Sequence, residues 1–349
     1  MQLGIFLPNW IGDVAMATPT LRAVRKHVGP DGKLIGVMRP YVAEVLAGNP
    51  WLDQTITYGK ENSVTGGVIR ELRDAQLDAA LLLPNSMRIA WMARRSGARQ
   101  RIGYARDGRS WLLTTKLYDP REGWRRVPLP QIDSYLNLAY ALGCSWESPR
   151  LELHTSPADE ALADDVWQRL GLPEERRVVV FNTGGAFGAA KDWPLEYFAE
   201  LAQSIVREQD LHVLVNCGPQ EREVARAIVR QADDPRVTSL AEEAQLPIGL
   251  TKACIRRARM LVTTDSGPRF FGVAFGIPVV TLFGPTSTRW TQTHYDREIS
   301  LSMRLDCQPC MQRTCPLVHH RCMRELSVGM VYAEVTKQLA AAETYPQAA

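Results

Sequence analysis

The stretch that most constrains this chain is Arg259 to Thr286, RMLVTTDSGPRFFGVAFGIPVVTLFGPT. Met260 to Thr264 is a short apolar, β-branched run, the composition of a buried parallel strand. Asp265-Ser266-Gly267-Pro268 follows directly and reads as a helix start. Asp or Ser caps a helix, and Pro suits the first turn because its missing N–H had no partner there. Phe270 to Phe275 continues the helix, Gly276 ends it, and Ile277 to Phe283 is a second buried strand closed by Gly284-Pro285. The result is strand–helix–strand, with a helix N-terminus at the carboxyl end of a strand. Open α/β sheets bind ligands along that edge, and free N–H groups there suit a phosphate. The pattern does not require a ligand, since a cap worth about 1 kcal/mol accounts equally well for Asp265.

The same alternation fills the rest of the chain. Leu3 to Leu7 reads as a strand, followed by the loop Pro8-Asn9-Trp10-Ile11-Gly12-Asp13 and a helix from Val14 to His27. Strands at Leu34–Met38, Thr55–Tyr58 and Ala79–Leu83 alternate with helices at Tyr41–Leu46, Val68–Ala75 and Met87–Arg95, and Ile132–Leu142 is a further helix. Pro149 to Pro157 is proline-flanked and extended, and marks the boundary. Beyond it, strands at Arg177–Phe181, His212–Asn216 and Val237–Leu240 alternate with helices at Leu195–Glu208, Glu221–Gln231 and Ile248–Arg257. Val328–Ala342 is a closing amphipathic helix. Two such arrays without repeats predict an α/β protein of two doubly wound, Rossmann-like domains facing a central cleft. Their spans are 1–155 and 156–326, with 327–349 a C-terminal helix and tail. At 349 residues the chain is long enough for two cores.

Several classes fall away. No apolar run approaches the roughly 18 residues of a membrane span, and Leu3 to Pro8 is too short for a signal sequence. The cytoplasm is therefore expected, with the seven cysteines read as reduced thiols or metal ligands. A dinucleotide fingerprint should follow the first strand, but only Gly12 stands there, and Gly184-Gly185 with Gly188 has the wrong spacing. A Walker loop and a G-x-S-x-G elbow are also absent. Net charge is only +3, yet between Arg88 and Arg126 ten arginines and one lysine stand against three acids. That block reads either as a solvated face or as a surface for anionic material. Tryptophans are interleaved with it, but no nucleic-acid motif accompanies them, so no nucleic-acid partner is expected.

Cys307, Cys310, Cys315 and Cys322 are spaced x2, x4 and x6, with His319 and His320 among them. Four soft ligands at this spacing suit a tetrahedral structural zinc, the C-x2-C half being a recognised pattern. Buried, unliganded thiols are the other reading.

Four separated signatures resemble glycosyltransferase family nine, the lipopolysaccharide heptosyltransferases. They are Pro8-Asn9-Trp10-Ile11-Gly12-Asp13 with Thr18-Pro19; Leu83-Pro84-Asn85-Ser86; Gly184-Gly185-Ala186-Phe187-Gly188 running to Lys191-Asp192-Trp193-Pro194; and Thr264-Asp265-Ser266-Gly267-Pro268 running to Phe283-Gly284-Pro285-Thr286. The resemblance implies a GT-B fold with an N-terminal acceptor domain and a C-terminal ADP-sugar domain. It also implies inverting transfer of heptose to the lipopolysaccharide inner core, with no metal required for catalysis. Asp13 matches the family's general base, whose positioning is worth roughly 10²–10⁴ in rate; its place also allows a simple helix cap. Lys191 matches the lysine on the donor phosphates, where a cation offsets charge on the leaving group. Thr183, Gly184, Gly185, Asp265, Ser266 and Gly267 would complete that site, and Glu221 matches an acid on the ribose. A first-turn glutamate favoured by the helix dipole accounts for Glu221 equally.

Asn9, Trp10, Asn85, Ser86, Arg88, Arg94 and Arg95 are the expected acceptor-binding residues, with the anionic glycolipid against the arginine block. Such an enzyme would touch the inner-membrane surface transiently from the cytoplasmic side. One departure stands out: the family has a histidine shortly after Asp-Ser-Gly-Pro, where this chain has Arg269-Phe270-Phe271. A nucleotide-sugar epimerase of the same fold and a non-catalytic ADP-sugar-binding protein are the rival readings.

Overall fold

In a computed structural model, the described residues are 1–59, 62–173 and 176–344. They divide into two compact units, Met1–His154 with Arg289–His294, and Thr155–Thr288 with the residues from Tyr295 onward.

The first unit is built on β1 (Gln2–Phe6), β2 (Lys33–Met38), β3 (Gln54–Thr57), β4 (Ala79–Leu82), β5 (Gln100–Tyr104) and β6 (Thr115–Leu117). All pairs are parallel, in the order β3-β2-β1-β4-β5-β6. The central strands β1, β2 and β4 are almost wholly buried, as strands covered on both faces are, and Leu3, Ile5, Phe6, Leu81 and Leu82 are fully enclosed. Strand order reverses between β1 and β4. The loops Leu7–Trp10 and Leu83–Ser86 leave the carboxyl ends of those two strands, at the crevice where open sheets bind ligands. Two antiparallel dipeptide strands, β7 (Arg121–Glu122) and β8 (Arg125–Arg126), form a separate hairpin.

The single helix expected from Val14 to His27 is instead two, Ile11–Met16 and Thr18–Val28, joined at Ala17. Pro19 causes the break, because a proline ring crowds the carbonyl four residues earlier. That carbonyl belongs to Ala15, and the Thr18 hydroxyl donates to it at 2.7 Å in place of the missing N–H.

The second unit repeats the plan with β9 (Val178–Asn182), β10 (His212–Asn216), β11 (Val237–Ser239), β12 (Met260–Thr264), β13 (Val279–Leu282) and β14 (Glu298–Leu301). Its order is β11-β10-β9-β12-β13-β14, again all parallel. Here the reversal lies between β9 and β12, from which Thr183–Gly188 and Asp265–Pro268 depart. The helix Pro157–Arg169 opens this unit with a capping box: Asp159 N–H donates to Ser156 Oγ at 3.2 Å and Ser156 N–H to Asp159 Oδ2 at 2.9 Å. The last helix, Val328–Thr344, packs on the helix Leu195–Gln209 and on β13. Among the described residues, no helix is long and apolar enough to cross a membrane.

Candidate active site

In the first unit Asp13 lies in the first turn of Ile11–Met16, but no side chain caps that helix. Asp13 is therefore not the N-cap residue, although an acid in the first turn still suits the helix dipole. Its half-buried carboxylate accepts a hydrogen bond from the Tyr135 hydroxyl at 3.3 Å. Burial, reinforced by the Asp13 charge, holds the Tyr135 hydroxyl well above its ordinary pKa, so it stays a neutral donor. Asn9, in the loop before that helix, accepts from Tyr58 Oη at Oδ1 (3.3 Å) and from Tyr41 Oη at its carbonyl. Trp10 is half exposed.

The arginine block is not one surface. Arg109 is fully buried and braces the Asn85–Ser86 loop, donating to Asn85 Oδ1 at 2.9 Å and to the Pro84 and Tyr104 carbonyls. Burial pushes its pKa down to about 10. Arg106 and Arg126 both face Asp119, the latter at 3.6 Å. Arg88 turns inward to Thr65 Oγ1 at 2.7 Å and the Gly59 carbonyl at 3.2 Å. Arg94 and Arg95 are exposed, Arg95 stacking at 5.8 Å over Trp91. Beside them opens a cavity of about 420 Å³ lined by Thr65, Ile69, Arg70, Arg73, Trp91 and Arg95. Arg70 and Arg73 come from the preceding helix, outside the stretch whose charge drew attention.

In the second unit Asp265 does not cap a helix either. The helix Arg269–Ala274 starts after Pro268 without a side-chain cap. The Asp265 carboxylate instead accepts from Lys191 Nζ (2.8 Å), Thr286 Oγ1 (2.6 Å) and Arg269 Nη1 (3.2 Å). Arg269, 1% exposed, also holds Glu298 through Nε and through Nη2 at 3.1 Å. Burial opposes the Asp265 charge, but Lys191 and Arg269 outweigh it and hold the pKa below the ordinary carboxylate value. Lys191 is therefore placed beside the Asp265 turn as the motifs suggest, yet already in an ion pair. Arg269 spends its charge internally and offers none to a ligand, while Phe270 next to it is buried.

Behind the turn runs a polar chain that the sequence reading did not single out. Asn216 Nδ2 donates to Asn182 Oδ1 at 2.8 Å, and Asn182 Nδ2 donates to Ser266 Oγ at 2.9 Å. Glu221 precedes the helix Arg222–Ala232, where its carboxylate accepts from Gly218 N–H at 2.6 Å. It also packs on Gly184, where a Cβ would lie 2.7 Å from Oε1. Glu221 thus ties the loop after β9 to the loop after β10, and Thr183 is buried between strand and loop.

All seven cysteines are free thiols. Burial, together with neighbouring Cys315, Cys307 and Cys310, pushes the Cys322 thiol up to about 11. Among the described residues, however, no three His, Cys, Asp or Glu side chains are gathered as a metal site. The segment packs on the loops of the site: Ala190 N–H donates to the Arg313 carbonyl at 3.0 Å, His320 Nε2 lies 2.9 Å from the Ala190 carbonyl, and Met311 N–H donates to the Pro285 carbonyl at 2.9 Å.

The profile of glycosyltransferase family 9 (heptosyltransferase) matches residues 66–320. Lipooligosaccharide heptosyltransferase 2 of Campylobacter jejuni is 24% identical over 344 residues, covering 97% of this chain and 99% of that protein. Lipopolysaccharide heptosyltransferase 2 of Escherichia coli is 27% identical over 321 residues, covering 86% and 88%. The solved structure of E. coli ADP-heptose LPS heptosyltransferase II matches with a TM-score of 0.80 at 21% identity, over 98% of this chain and all of that one. The fold of both units is accordingly GT-B. The chain is a glycosyltransferase and belongs to glycosyltransferase family 9, the heptosyltransferases.

Proposed function

We propose that this protein transfers heptose from ADP-heptose to the lipopolysaccharide inner core, with inversion at the anomeric carbon. One observation carries the reading: in a chain matched by the heptosyltransferase profile, all four family signatures leave the strands flanking the two strand-order reversals, β1/β4 and β9/β12. The second unit, 156–326 with its C-terminal helix, takes the donor. Its diphosphate lies against the N–H groups of Gly184, Gly185, Ser266 and Gly267, with Lys191 alongside and Glu221 toward the ribose. The first unit, 1–155, takes the acceptor through Asn9, Trp10, Asn85, Ser86 and the arginines 88, 94 and 95. Asp13 accepts the acceptor proton as the new bond forms, oriented by Tyr135. No metal takes part in this step.

The acceptor's lipid would bring the enzyme to the cytoplasmic face of the inner membrane as a peripheral protein. A zinc ion on Cys307, Cys310, Cys315 and Cys322 would act only as a staple. The expected outcome is about one zinc per chain with all-sulfur ligation, and metal-free protein of undiminished stability would end that part of the reading. The test of function is transfer from ADP-heptose to a heptose-acceptor core glycolipid, with ADP release followed alongside. ADP-heptose epimerised without an acceptor, or bound without turnover, would overturn it.

A further inference from the structure

The donor site as built has no spare positive charge at its lysine. Lys191 and Arg269 are matched by Asp265 and Glu298, two cations against two carboxylates, with Lys191 Nζ 2.8 Å from Asp265 and Arg269 bonded to both acids. The Asp265 and Glu298 side chains are 6% and 4% exposed, so water screens this compensation little. Glu221 adds a further carboxylate against Gly184 and Gly218. A nucleoside diphosphate entering here would meet backbone N–H groups but no uncompensated cation.

The cysteine segment supplies one. Arg313 is exposed, and among the described residues no carboxylate pairs with it. Its guanidinium lies over the Phe187 ring at 5.9 Å from the centroid, the same ring that carries Lys191 Nζ at 4.6 Å. The two cations are thus held on one aromatic side chain within the loop that follows β9. The backbone of Arg313 is locked there independently of its side chain. Its carbonyl accepts from Ala190 N–H, and it approaches Gly188 so closely that a Cβ would sit 2.6 Å from the oxygen. Gly188 has φ +139°, so glycine is required twice over at that contact.

From this geometry we propose that Arg313 binds the diphosphate of the donor nucleotide, supplying the charge that the Lys191–Asp265 pair does not. The inference rests on the ADP-sugar reading above and adds a residue from a segment that reading treats as structural. A planar guanidinium with several donors suits a diphosphate oxygen pair, whereas the stem can stay on Phe187.

The test is calorimetric titration of ADP and of adenosine into the full chain and into Arg313→Gln and Arg313→Lys. Loss of a charge-assisted hydrogen bond should weaken ADP about tenfold to a hundredfold in Arg313→Gln, with Arg313→Lys between, while adenosine is unchanged. Since the loop contact is made by the carbonyl, hydrogen exchange on peptides spanning Gly188 and Ala190 should stay that of the unmodified protein. ADP binding within about twofold of the original in Arg313→Gln would overturn the proposal and leave the ADP-sugar reading standing. Equal weakening of ADP and adenosine would overturn it too, pointing to a displaced loop. Failure of ADP to bind the unmodified protein would overturn both.

Discussion

Glu298→Gln isolates the buried charge group behind the donor loop. Glu298 begins the edge strand β14, and its carboxylate accepts two hydrogen bonds from Arg269 and one from Thr281 Oγ1 at 2.9 Å. Glutamine keeps the shape and one acceptor oxygen but removes the charge. Arg269 is then left with Asp265, which it must share with Lys191, so two cations face one carboxylate in the interior. Removing one member of a buried pair costs about 3–5 kcal/mol. The retained amide oxygen recovers about 1 kcal/mol of that, leaving about 2–4 kcal/mol. Since the chain has two units, a single unfolding midpoint is a poor readout. Native-state hydrogen exchange read on peptides of β12, β13 and β14 is better, with β1 and β4 as internal control. Exchange in the second unit should accelerate between roughly thirty-fold and a thousand-fold, while the control does not change. Acceleration below about tenfold, or an equal change in β1, would refute the compensated quartet. Replacing Glu298 and Arg269 together by Leu and Met should cost less than either single change, because it leaves Lys191 and Asp265 as a balanced pair.

Asp13→Asn should lower transfer by roughly 10²–10⁴ while ADP affinity holds, as initial rates and ADP titration will show. Neutralising Arg94 and Arg95 together to Gln should raise the acceptor KM without changing the donor KM, and the effect should shrink with added salt, since exposed charges are screened beyond about 8–10 Å at 0.1–0.15 M. In the second unit, burial opposes the charge of Glu160, but hydrogen bonds from Arg256, Thr155 and Arg257 hold its pKa at about 2, down from 4.5. A lowered folded-state pKa gives stability that is complete above about 4.5 and is lost as pH falls toward about 2. Glu160→Gln should therefore flatten the acid-unfolding curve in that window when followed by circular dichroism.

The centres of both sheets were legible because central parallel strands are apolar on both faces, as in Val178–Phe181 and Met260–Thr264. The edges were not. β5 and β6 read QRIGY and TKL, and β14 reads EISL, charged or polar at every start. β6 and β14 are edge strands, which carry such residues to discourage further pairing, and β5 beside β6 shares the polar start, so the apolar signal that a strand reading needs is weak. The missed helix Pro157–Arg169 is different, because its Ser156-Pro157-x-Asp159 start was present in the sequence. The apolar spacing of its core residues Ala163, Val166 and Trp167 is sparse among acids, and that hid it.

The failure of the cap reading of Asp265 has a more general cause. A cap, a ligand-facing acid and half of a buried ion pair look alike in a sequence, and only the partner distinguishes them. Here the partners are Lys191, 74 residues away, and Arg269, whose own second acid lies on an edge strand that gave no signal. A motif lysine counts as a full charge when read from sequence. In the fold its contribution is what remains after pairing, and beside Asp265 little remains for a ligand. On the proposal above, the charge that a diphosphate meets comes from a residue without a carboxylate neighbour, and such residues belong to no local pattern. Arg313 reaches Phe187 because the cysteine segment is tied by backbone bonds to Ala190 and Pro285, which are not neighbours of one another in the chain. The part of the site hardest to read is thus the part that depends on three separate loops meeting at one sheet edge.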